Sequence, residues 1–163
     1  MKIAGFTFLG VLTLALLVLA AGQLGFFGGN APGDLGVREG RLKPPAQTPN
    51  SVSSQAGLYP DHPLRLDAQV APLRYRGDGK AALQKLATLL DATPGAVVVT
   101  RAPGYLYAQV TTRWLKFTDD LEFYLDEPAG VIQVRSASRI GRKDFGVNRA
   151  RVEALRQRFE QMP

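Results

Sequence analysis

The stretch Leu121–Ser136, "LEFYLDEPAGVIQVRS", decides the fold. Leu121, Phe123 and Leu125 alternate with Glu122, Tyr124 and Asp126, a period of two that gives a strand one apolar and one polar face. "EPAG" then supplies a turn, and Ile132 and Val134 resume the apolar phase. The stretch therefore reads as a β-hairpin whose inner face packs on something apolar.

Working upstream, "AVVVTR" (96–101), the turn "APG" and "YLYAQVTT" (105–112) read as a second hairpin, with Leu106, Ala108 and Val110 on one face. Trp114 to Phe117 leads from this pair into the first. Amphipathic helices flank the strands. "DGKAALQKLATLLD" places Ala82, Leu83, Leu86, Ala87 and Leu90 on one stripe behind Asp78 as cap, and "NRARVEALRQRFEQM" does the same with Val152, Leu155, Phe159 and Met162 behind Asn148. The expectation is a two-layer α+β domain: an antiparallel sheet of four or five strands with two amphipathic helices on one face.

The N-terminal part of the chain differs from the rest. Residues 3–22, "IAGFTFLGVLTLALLVLAAG", are uncharged and long enough, at ~1.5 Å per residue, to cross a ~30 Å hydrocarbon layer. This predicts an N-terminal transmembrane helix within an anchor of residues 1–22, behind which the rest of the chain is held. A signal peptide cut after Ala20 or Ala21, releasing a secreted domain, is the competing reading, and the length of the run favours retention. Lys2 and the amino terminus keep that end in the cytoplasm and place the C-terminal domain in a periplasmic, lumenal or extracellular space. Residues 23–67, rich in Gly, Pro and Ser, read as a linker that becomes an irregular arm, and residues 68–163 as the α+β domain.

The chain has 163 residues, no cysteine and one histidine, His62. It offers no thiolate and imidazole cluster for zinc, haem or iron–sulfur centres, so no cofactor and no metal are expected. A formal charge of +6 favours anionic partners. Tyr105 and Tyr107 offer a stacking face, but export separates the domain from nucleic acid, which is not expected as a partner. The oligomeric state is left open.

Four stretches, "LGVREGRL", "TPNSVSSQ", "FTDDLEF" and "VRSASRIGRKDFGVNRARVEALRQRF", together resemble the family catalogued as domain of unknown function 1499. The similarity covers Asp34 to Phe159. It implies relatives in bacteria and plastids, often behind an N-terminal membrane or targeting segment, and implies no particular reaction. Members commonly carry a cysteine on each side of the "SPN" core, where this chain has Pro45 and Ser51. Cysteine chemistry does not carry over.

Three clusters are candidates for function. Between Arg135 and Phe159 stand eight lysines and arginines against two acids. Ser136 and Ser138 continue the apolar phase of Ile132 and Val134, while Arg135, Arg139, Asn148 and Arg149 lie close by, so guanidinium forks, hydroxyls and a helix N-terminus suit a carboxylate or phosphate. The competing reading pairs these arginines with Asp119, Asp120 or Asp144 as the joint between sheet and helix. Asp119, Asp120 and Glu122 form an acidic cluster fit for acid–base work or for Ca²⁺ or Mg²⁺, with Asp120 and Glu122 on one face and Asp119 on the other. Asn50, Ser53, Ser54 and Gln55 form a polar cluster in the arm, from which a hydrolase would need a serine beside His62. The readings in play are a membrane-tethered accessory protein that binds an anionic small molecule or an envelope protein partner, a hydrolase-type enzyme using the acidic cluster, and a purely structural envelope protein. The absence of a nucleophile motif weighs against the enzyme.

Overall fold

The computed structural model describes residues 7–162, with the helical backbone traced from Lys2. In chain order come α1 (Lys2–Gln23), β1 (Ser51–Ser53), α2 (Arg65–Ala68), β2 (Leu73–Arg74), α3 (Gly79–Asp91), β3 (Ala96–Ala102), β4 (Tyr105–Thr111), β5 (Thr118–Asp126), β6 (Val131–Ser138) and α4 (Val147–Gln161). The α+β class and the antiparallel sheet are as expected. The sheet has six strands, with order β1-β6-β5-β4-β3 and β2 also on β6, and there are four helices among the described residues. The expected count of four or five strands was short because β1 and β2 are three and two residues long, and the helix beyond the expected N-terminal helix and amphipathic pair is the four-residue α2. Strands that short carry no readable alternation, and β1 lies inside the stretch read as arm.

The apolar run expected to span a membrane, residues 3–22, begins outside the described residues. Among the described residues no helix is long and apolar enough to cross a membrane. From Phe8 to Leu19, α1 presents nine exposed large apolar side chains, on every side of the helix. Its last turn meets the loop between β4 and β5. A Cβ on Gly22 would stand 2.8 Å from the Leu115 backbone, so this close approach requires glycine. Gln23 Nε2 donates to the Trp114 carbonyl at 2.7 Å, and Phe27 stacks on Phe117 with centroids 5.2 Å apart.

α3 and α4 cover one face of the sheet. Leu83, Leu86 and Leu90 from α3, with Val152, Leu155 and Phe159 from α4, pack on Leu121, Phe123, Ile132 and Val134. Each large side chain buried this way stabilises the fold by ~1.5–3 kcal/mol. Asp78 caps α3 as expected, accepting from the Ala81 N–H at 2.8 Å. The cap of α4 is not Asn148. Gly146, at φ 82, stands at the N-cap, and the Asp144 carboxylate accepts from the Gly146 and Asn148 N–H groups at 3.0 and 2.9 Å. Asn148 lies two residues past the cap, within the first turn, and is fully buried.

The arm crosses the opposite face of the sheet. Leu42 is buried there, and the Tyr59 hydroxyl donates to its carbonyl. Gln55 holds the arm together, accepting from the Leu42 N–H at 2.8 Å and donating to the Gly40 carbonyl at 2.9 Å. The polar face of β5 and β6 is therefore an interior surface, enclosed between sheet and arm.

Candidate functional site

The register explains what meets what on that enclosed face. Glu122 stands directly opposite Arg135, and Asp120 lies diagonal to Arg139, positions at which cross-strand side chains touch. Glu122 is fully buried; one oxygen accepts from the Gly36 N–H at 2.8 Å and the Tyr105 hydroxyl at 2.9 Å, the other from Arg135 at 3.4 Å. Arg135 also donates through Nε to the Pro44 carbonyl. Burial lowers the Arg135 pKa against the pull of Glu122, Asp120 and Asp34. Burial, and then the neighbouring Glu122 charge, raise the Tyr105 pKa far above its ordinary value, so the hydroxyl stays a donor.

One step along the sheet the pattern repeats with better geometry. Arg139 straddles the Asp120 carboxylate, Nη2 to Oδ1 at 2.7 Å and Nε to Oδ2 at 3.0 Å, a bidentate fork. The Tyr107 hydroxyl donates to Asp120 at 2.6 Å and accepts from Arg139 and Gln109. The hydrogen bonds to Asp120 raise the Arg139 pKa. Burial, then the bond to Asp120, raise that of Tyr107.

On the helix face Asp119 receives Arg151 at 2.5 Å, so strand alternation separates it from Asp120 and Glu122 as expected. Ser136 donates to Asn148 Oδ1; Asn148 Nδ2 donates to Ser138 Oγ at 3.0 Å and to the Asn50 carbonyl at 3.1 Å. Asn148 thus ties α4, β6 and the arm together. Asn50 completes the joint by donating to the Gly141 carbonyl at 2.7 Å. Arg149 is spent on the carbonyls of Asp67 and Gln69. It borders a cavity of about 110 Å³ between arm and α4, where Asp144 already holds the helix N-terminus.

The structure therefore gathers the candidate residues into two networks, one per face, and supplies each charge with a partner. Asp119, Asp120 and Glu122 are not brought to one point, and among the described residues no group of three His, Cys, Asp or Glu side chains could hold a metal ion. The arm serines are tied into the fold: Ser53 Oγ accepts from the Gln55 N–H, and Ser54 Oγ donates to Gln133 and accepts from the Val134 N–H. His62 Nδ1 accepts from the Leu64 N–H and meets no serine. Ser51 Oγ accepts from the Ala46 N–H at 2.8 Å and closes a small loop of the arm by a hydrogen bond. Sequence reasoning missed Tyr105, Tyr107 and Arg151 as members of the networks. The alternation of Tyr105 and Tyr107 with core residues, facing acids on the next strand, was the available signal.

Comparison with known proteins gives a family match. The family described as a protein of unknown function, DUF1499, matches residues 41–159. No curated protein and no solved structure matches the chain. The matched span takes in the arm from Arg41 onward, all six strands and α4 as far as Phe159. On that evidence the chain belongs to the DUF1499 family.

Proposed function

We propose that this chain is a membrane-tethered, extracytoplasmic accessory protein that acts as a rigid, non-catalytic scaffold. The observation that carries the reading is α1, whose exposed apolar side chains run from Phe8 to Leu19 and whose last turn is fastened to the β4–β5 loop. Nine exposed apolar side chains on one helix are unfavourable in water and suit lipid. The uncharged run 3–22 in the sequence supports a spanning segment, and Lys2 supports a cytoplasmic amino terminus.

The pairing of Arg135, Arg139 and Arg151 with buried carboxylates supports the scaffold over an anion site in the Arg/Ser cluster. The same burial of Asp120 and Glu122 weighs against a hydrolase, whose carboxylates must reach a substrate. A partner is then met on the outer surface of the domain.

The test is topological. A reporter fused after Pro163 is active only outside the cytoplasm, and the full-length chain stays in the membrane pellet after carbonate washing. Release of a shorter, soluble chain ending its N-terminus near Ala21 would overturn the tether and establish a secreted domain.

A further inference from the structure

Thr111, Thr118 and Ser138 lie at one end of the sheet, since Thr111 pairs with Thr118 and Ser138 with Asp119. From this end project the β4–β5 loop and the β6–α4 loop, and here α1 arrives. The Gly28–Gly29 step runs between the two loops: a Cβ on Gly28 would lie 4.0 Å from the Lys116 carbonyl oxygen, and one on Gly29 2.9 Å from Arg139 and 3.0 Å from Ile140. Leu24 is 77% exposed, Phe26 72% and Trp114 63%. Phe145 is 93% exposed and sits in left-handed backbone at φ 53, a conformation bulky side chains avoid. The ring is left almost wholly in water.

The exposed charges at this end that lack an ion-pair partner are of one sign. Arg113, Arg142 and Lys143 are exposed and Lys116 is half-buried, and among the described residues none of the four enters an ion pair. Arg113 lies over the Trp114 ring, 4.9 Å from its centroid. The carboxylates here, Asp119, Asp120 and Asp144, are all held by arginines or backbone N–H groups. The far turn, between β5 and β6, carries the acids Asp126 and Glu127 instead.

We propose that this end of the domain is a seat on an anionic lipid surface: Leu24, Phe26, Trp114 and Phe145 enter the headgroup layer, and Arg113, Lys116, Arg142 and Lys143 bind lipid phosphates. The occupant follows from two observations. The surface is continuous with the apolar helix α1, whose last turn docks on the β4–β5 loop, and exposed aromatics beside unpaired cations are the composition that suits the boundary between lipid and water. The seat rests on the tether proposed above. Together with the docked last turn of α1, it fixes the orientation of the sheet to the bilayer, so that the domain does not swing on a flexible stalk.

Trp114 is the single tryptophan of the chain and reports directly on the seat. The full-length chain is reconstituted into vesicles of phosphatidylcholine with phosphatidylglycerol, some lipids carrying bromine high on the acyl chain. Flotation reads the tether and tryptophan quenching reads the seat. Bromolipid is expected to quench Trp114 emission by roughly half, as for an indole held at headgroup depth. The double substitution Arg113→Glu with Arg142→Glu removes most of that quenching while flotation and the melting temperature hold. A chain that floats but whose Trp114 is quenched by aqueous acrylamide and not by bromolipid overturns the seat and leaves the tether standing. A chain that fails to float overturns both. Protection from acrylamide that follows protein concentration in neutral detergent would assign the surface to a second copy of the chain and overturn the lipid assignment.

Discussion

Glu122 and Arg135 are cross-strand neighbours sealed beneath the arm, whereas Arg101 and Asp91 form a pair half-exposed at the surface. The difference in burial sets opposite expectations. Glu122→Gln leaves the Arg135 charge buried without a counter-charge, which costs ~3–5 kcal/mol. Asp91→Asn costs ~0–1 kcal/mol, because water screens an exposed pair and already solvates both partners. Thermal melting of the two variants side by side distinguishes them, and a Glu122→Gln protein as stable as the parent would mean that the arm does not seal the face. The placement of Asp120, Glu122, Arg135 and Arg139 on one face was legible from strand alternation. Their pairing was legible only as one of two readings, because alternation tells which face a residue takes but not whether that face is wet. The deciding element, the arm, has no periodicity of its own.

At the level of elements, α3 was fully legible and α4 only in part. In α3 the cap Asp78 immediately precedes an unbroken apolar stripe, so local sequence and packing agree. In α4 the capping carboxylate sits at Asp144, separated from the helix by Phe145 and Gly146, both with positive φ. Asn148, the residue with the best capping chemistry, is drawn inside to join Ser136, Ser138 and Asn50. The cap makes stability depend on acid in a defined direction. Burial raises the Asp144 pKa, but the N–H groups of Asn148 and Gly146 outweigh it and leave the pKa below the ordinary 3.8. A depressed carboxylate contributes stability that is complete above its unfolded value and is lost as pH falls through its folded value. Asp144→Ala should therefore lower stability by ~0.5–2 kcal/mol at neutral pH. The gap to the parent should narrow as melts are repeated below pH 3.8, and a gap independent of pH would remove the cap as its cause.

For the whole molecule, the fastening of α1 depends on a position without a side chain. Gly22→Leu puts a side chain into the Leu115 backbone, which cannot yield, so α1 should detach while the helix-covered core keeps its melting temperature. Hydrogen exchange would show the loss as faster exchange from Gln23 to Gly29 and in the β4–β5 loop, with β5 and β6 unchanged. Unaltered exchange there would mean that the contact holds nothing in place. The far reach of the arm has another consequence. Asn50 hydrogen-bonds Ser138, 88 residues later, and among the described residues β6 is the strand that β1 pairs with. A ribosome delivers the arm well before its partner strand, and closing so long a loop has to follow the formation of the hairpins it joins. During that interval the nascent arm waits unpaired. Its stock of Pro, Gly, Ser and Asn, which reads as a sign of disorder, is what lets it wait without sticking to its neighbours.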